Sequence, residues 1–134
     1  MRFAPRALLA ATVLLFAAAP ASAVQEWYDY YLQAKDDLAA RRYGDCVKNV
    51  DRALQLRPTP GTNVRTYGVI FIDYLPHYYR GVCLLRQEKF DEALRAFSAA
   101  DQGSAARAHE ASDLVRLRSE AQSGIPYSAP SMAR

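Results

Sequence analysis

The chain has 134 residues, 17 of them basic and 14 acidic, with a formal net charge of +3. So small an excess gives no electrostatic footprint for nucleic acid or an anionic bilayer. Two cysteines, Cys46 and Cys83, are too few for a disulfide scaffold, and no C-x-x-C or zinc-type spacing accompanies them.

Arg2 and Arg6 open the chain with positive charge. Leu8 to Ala19 is apolar apart from Thr12, and Pro20-Ala21-Ser22-Ala23 follows. Charged start, apolar middle and small-residue end are the layout of a secretory signal, so residues 1–23 are expected to be cleaved after Ala23. The apolar run, about 12 residues, is short of the roughly 20 that a membrane span needs. No stable membrane anchor is therefore expected, and the protein is expected in the periplasm or secreted. Residues 24–123 suit one domain. Residues 124–134, rich in Ser and Pro, are expected to form a disordered tail. Export permits a disulfide, but Cys46 and Cys83 read first as two small buried residues, and spacing in sequence does not decide between these.

Gln25 to Arg42 predicts a helix without Gly or Pro, in which Trp27, Tyr30, Tyr31, Ala34 and Leu38 draw one apolar face. Tyr43-Gly44 is expected to break it. Asp45 to Leu56 repeats the pattern with Cys46, Val47, Val50, Ala53 and Leu54, and Pro58 and Pro60-Gly61 end it. Thr59 to Ile72 reads as a long loop. Val69 to Phe71 has the composition of a strand but no visible partner. Asp73 is expected to cap the next helix, with Pro76 in its first turn, running through Tyr78, Val82 and Cys83 to about Gln87. Phe90 to Ala100 predicts a fourth helix, stopped by Gly103. Ser104 to Gln122 predicts a fifth, ended by Gly124-Ile125-Pro126.

The four central helices pair by position. Ala34, Tyr43, Cys46 and Ala53 in the first pair, which Pro58 follows, stand at the spacings of Gly81, Phe90, Ala93 and Ala100 in the second, which adds Phe97 where the first has Val50. Small residues at these places let two helix backbones approach, and the aromatic at the turn plugs the end of the pair. The stretch Glu88-Lys89-Phe90-Asp91-Glu92-Ala93-Leu94-Arg95-Ala96-Phe97 resembles the turn and second helix of the tetratricopeptide repeat (TPR), a helix–turn–helix unit of about 34 residues. Arg41-Arg42-Tyr43-Gly44-Asp45-Cys46 with Ala53-Leu54 and Pro58 is a weaker match. The Thr59–Ile72 loop separates the units by more than one family repeat. The resemblance implies an all-α fold of two TPR-like units and a C-terminal capping helix, with a long loop between the units. Ile72 to Tyr79 is also similar to a stretch that enters a repeat in small exported bacterial TPR-like proteins.

Such repeats bind peptides or protein surfaces on the groove made by their first helices. The resemblance places Tyr28, Tyr31, Lys35 and Leu38 of the first unit and Leu75, Tyr78, Val82 and Arg86 of the second in that groove. Tyrosines offer large rigid contact area with a hydroxyl; equally, nine tyrosines in a small helical domain can fill a thin core. The loop can line the groove or lie in it. The set lacks the lysines and asparagines of a carboxylate clamp.

No catalytic motif is present: Gly-x-Ser-x-Gly, the phosphate-binding Gly-rich loop and H-E-x-x-H are absent. His77 reads as packed among tyrosines, and His109 with Asp113 as a surface pair. Asp36-Asp37 and Asp91-Glu92 read as solvated faces. The expectation is an exported protein–protein interaction module, a scaffold or adaptor with no cofactor, no metal and no enzymatic activity. The alternative is a self-associating or structural subunit of a cell-envelope complex.

Overall fold

The structure, a computed structural model, describes residues 24–102 and 108–124. Five helices and one two-stranded sheet follow in order: α1 (Trp27–Ala39), α2 (Tyr43–Leu56), β1 (Gly61–Arg65), β2 (Phe71–Tyr74), α3 (Pro76–Arg86), α4 (Phe90–Gln102) and α5 (Ala108–Gly124). The expected signal segment 1–23, the stop at Gly103 and the tail beyond Gly124 lie outside the described residues. No helix among those described is long and apolar enough to cross a membrane.

Each helix packs on the next in chain order. α2 packs between α1 and α3, and α4 between α3 and α5. α1 also meets α3, and α3 meets α5. The two turns are alike. Arg41 and Glu88 both adopt left-handed backbone, φ 61° and 59°. Each is followed by an amide that reaches back into its helix: Arg42 N–H to Asp37 O at 2.8 Å, and Lys89 N–H to Leu84 O at 3.0 Å. These closures satisfy carbonyls that a helix end leaves unpaired. They also correct the first boundary: α1 ends at Ala39, and Tyr43-Gly44 begins α2 rather than breaking a helix.

The small residues lie inside. Ala34, Cys46, Ala53 and Ala93 have no exposed surface, and Gly81 is buried. Phe90 and Ala100 are half-buried, as is Tyr43, while Pro58 is exposed. The neighbour that explains Gly81 is Phe97, because a Cβ at position 81 would overlap the Phe97 ring. Phe97 packs with Leu84, Leu114, Leu117 and Ala121 in the core shared by α3, α4 and α5. Each such side chain contributes about 1.5–3 kcal/mol on burial. Gly81→Leu is therefore expected to cost about 1–3 kcal/mol by overpacking, read as a lower denaturant midpoint. A midpoint unchanged from that of the native protein would show that α3 and α4 are not so close.

The segment from Thr59 to Ile72 is not the expected loop. Gly61–Arg65 pairs antiparallel with Phe71–Tyr74, with Val64 opposite Ile72, Arg65 opposite Phe71 and Gly61 opposite Tyr74, and an irregularity between Gly61 and Val64. Gly68 turns the hairpin at φ +58°, a conformation that glycine adopts without steric cost. Thr66 donates from its amide to Ile70 O at 2.9 Å. Asp73 does not cap α3. It lies in β2, and its carboxylate accepts the Asn63 N–H at 2.9 Å, where Asn63 takes φ 51° at the irregularity. Leu75 is the residue at the head of α3, with Pro76 next. The fold is thus mostly helical with a small inserted sheet.

Cys46 and Cys83 are bonded to each other, with Cα atoms 6.3 Å apart, across 37 residues of sequence. Both are fully buried. The bond ties α2 to α3 behind the inserted hairpin, at the junction where the insertion separates the two helix pairs.

Candidate binding site

A cleft of about 270 Å³ opens between α1, β2 and the start of α3, lined by Tyr31, Leu32, Lys35, Ile72, Asp73, Leu75 and Tyr79. It gathers three of the eight expected groove residues: Tyr31, Lys35 and Leu75. The inserted hairpin supplies one wall, so the segment lines the cleft.

Tyr31 forms the floor. It is 1% exposed; its hydroxyl donates to Asp73 O at 2.8 Å and accepts the Leu75 N–H at 3.2 Å. That one hydroxyl fixes the junction of β2 with α3 onto α1. Burial drives its pKa far above the usual tyrosine range. Tyr74 beside it is fully buried; its hydroxyl donates to Arg57 O at 2.9 Å, and burial pushes its pKa up to about 12. Edge-to-face contacts link Trp27 with Tyr74, Tyr74 with Tyr31 and Tyr31 with Tyr79, with centroid separations of 4.6, 5.0 and 5.7 Å. Such pairs each contribute about 0.5–1.5 kcal/mol beyond area burial. Tyr31 and Tyr74 are therefore core, and Trp27, Tyr30 and Tyr79 pack half-buried against them.

The remaining groove residues stand elsewhere. Tyr28 is half-buried at the start of α1, its ring 5.5 Å from Trp27 and 6.1 Å from Tyr67 of the hairpin. Leu38 packs into the helical core. Val82 is buried. Tyr78 faces α5, its hydroxyl 3.4 Å from an Asp113 carboxylate oxygen. Arg86 pairs with Glu120 of α5 at 3.4 Å. α5 thus meets Tyr78 and Arg86 of α3, whereas Tyr31, Lys35 and Leu75 border the open cleft.

Lys35 and Leu32 are the accessible residues of that cleft. Lys35 is exposed, its ammonium 5.4 Å from the Tyr79 ring centre and 5.9 Å from that of Tyr31, within cation–π range. Leu32 is 43% exposed. The periodicity marked the buried face of α1 and so passed over Leu32; its place one turn before Lys35, off the apolar stripe, was the available signal. Ile72 carries no local signal, because its place depends on the pairing of β2 with β1, and Tyr79 lines the cleft from α3, its ring against Tyr31. Beyond the cleft, Tyr67, Val69, Ile70 and Phe71 at the hairpin tip are exposed.

Two readings of charged residues change. Asp36 is exposed, but Asp37 is buried at 2% exposure and is not part of a solvated face. Its carboxylate accepts from Arg42 Nε and Nη2 at 2.9 and 2.7 Å, from Asn49 Nδ2 at 2.7 Å and from Gln33 Nε2 at 3.2 Å. Burial alone would raise its pKa; these hydrogen bonds outweigh burial and hold it below the usual carboxylate value. His77 is half-buried, and burial, with Arg80 nearby, pushes its pKa down. Arg80 itself pairs with Asp51 of α2 at 2.7 Å. The side chain of His109 lies outside the described residues. Asp91 and Glu92 are exposed. Among the described residues no three of His, Cys, Asp and Glu gather as a metal site.

No protein-family model, no curated protein and no solved structure matches the chain.

Proposed function

We propose that the protein is an exported interaction module of two TPR-like helix pairs and a closing helix, binding a polypeptide partner rather than catalysing a reaction. The observation that carries this reading is the cleft between α1, β2 and α3, which leaves Leu32 and Lys35 accessible above a rigid tyrosine floor. The like turns at Arg41 and Glu88 support a repeat of one helix-pair unit. The buried Cys46–Cys83 bond supports export, since such bonds persist in oxidising compartments. Cleavage after Ala23 would deliver the chain to the periplasm or beyond the cell.

Truncating Tyr31 tests the core, because that side chain is buried. The informative variants are Leu32→Asp and Lys35→Glu. Each is expected to unfold at the native midpoint, within about 0.5 kcal/mol as surface changes are, and to lose partners captured by the native protein from envelope extract. Retention of every partner by both folded variants would refute the assignment of the cleft.

A further inference from the structure

Resting on the reading of the cleft as a polypeptide site, its chemistry narrows the partner. The volume of about 270 Å³ is at the lower edge of the roughly 300–1,000 Å³ of sites that enclose a whole small ligand. It suits one large side chain. Leu32, Ile72 and Leu75 supply the apolar wall, and the rings of Tyr31 and Tyr79 the floor. Lys35 is the cation among the lining residues. It lies over the two rings, and among the described residues no carboxylate pairs with it. Asp73, the acid in the lining, turns one carboxylate oxygen to the hairpin's own backbone at Asn63. Of these two opposite charges Lys35 is exposed and Asp73 half-buried, so the more accessible charge at the mouth is the ammonium, and complementarity calls for an anion beside the apolar group.

We propose that the cleft takes a partner segment in which a large apolar side chain stands beside an aspartate or glutamate, the apolar group entering between Leu32 and Ile72 and the carboxylate meeting Lys35. The carboxylate belongs to a side chain within the segment, because a single lysine gives the bidentate hold of a chain terminus no second cation.

Selection from a library of short random peptides with blocked ends tests this directly. With the native protein, recovered sequences are expected to place Asp or Glu beside Leu, Phe or Tyr. With Lys35→Glu as bait, the acidic preference is expected to become Lys or Arg. For a recovered peptide, changing Glu to Gln is expected to weaken binding about two- to fivefold, the range of an exposed ion pair, and added salt to weaken it further. Apolar enrichment that ignores the charge at position 35 would overturn the carboxylate assignment and leave the binding-module reading standing. No enrichment at all would overturn the inference. The capture experiment with Leu32→Asp decides the module reading separately, since it uses whole envelope partners and not peptides.

Discussion

Replacing Cys46 and Cys83 together by alanine is expected to lower stability by about 4 kcal/mol. The bond closes 37 residues of chain, and fixing a loop of that size removes about 4 kcal/mol of entropy from the unfolded ensemble in the loop-closure account. Its position raises the consequence. Among the helices, the two pairs meet chiefly where α2 packs on α3, and the inserted hairpin lengthens the connection between those helices. Without the bond, Ala34, Val50 and Tyr79, which pack around it, would have to hold the junction by apolar contact alone. A chain with its core spread over so few helices has little stability to spare. Denaturant unfolding with and without a dithiol reductant checks this. The native protein should lose stability on reduction, and the double variant should be insensitive to it. Equal midpoints for the oxidised native protein and the variant would mean that the bond contributes nothing to the folded state.

Where the fold was legible in the sequence, one physical signal repeated. The spacing of Ala34, Cys46 and Ala53, echoed by Gly81, Ala93 and Ala100, is what two close helices require, and the structure buries most of these residues at helix contacts. What was hidden depends on partners distant in sequence. β1 carries one aliphatic residue, Val64, between prolines and polar residues, so its strand character comes from pairing with β2 and not from its own propensity. Asp73 next to a proline-headed helix reads as a cap, yet its carboxylate is taken by the hairpin irregularity at Asn63. Asp37 reads as solvated beside Asp36, because nothing local shows that Arg42 and Asn49 close over it. Of the eight residues expected in a groove, Tyr31, Lys35 and Leu75 line one cleft; spacing alone could not show that Tyr31 would be floor or that α5 would pair with Arg86.

Asp37→Ala is expected to cost about 2–3 kcal/mol, the largest effect of any single charge removal in the described chain. The aligned turns put Leu84 at the matching place in the second pair, where it is an ordinary core residue at 1% exposure. The first pair buries a carboxylate instead, and holds it with four hydrogen bonds from three side chains. Removing it strips Arg42 and Asn49 of their acceptor. Breaking a fully buried ion pair costs about 3–5 kcal/mol, but the Arg42 side chain is 51% exposed and can recover water, which brings the figure down. The pH dependence follows from the sign of the shift. The folded pKa lies below the unfolded value of about 4, so the unfolded state takes up a proton first as pH falls. The contribution is therefore complete above about pH 4 and disappears as pH drops through the lower folded pKa. Thermal melts across that acid range should converge for the native protein and Asp37→Ala, and stay apart at neutral pH. A gap that persists unchanged into acid would assign the loss to packing rather than charge. The network sits at the turn that sets α1 against α2, on the helix that presents Leu32 and Lys35. On the proposed reading of the cleft, a folded Asp37→Ala protein should bind a captured polypeptide less tightly than the native protein, although the substituted residue is not among those lining the cleft.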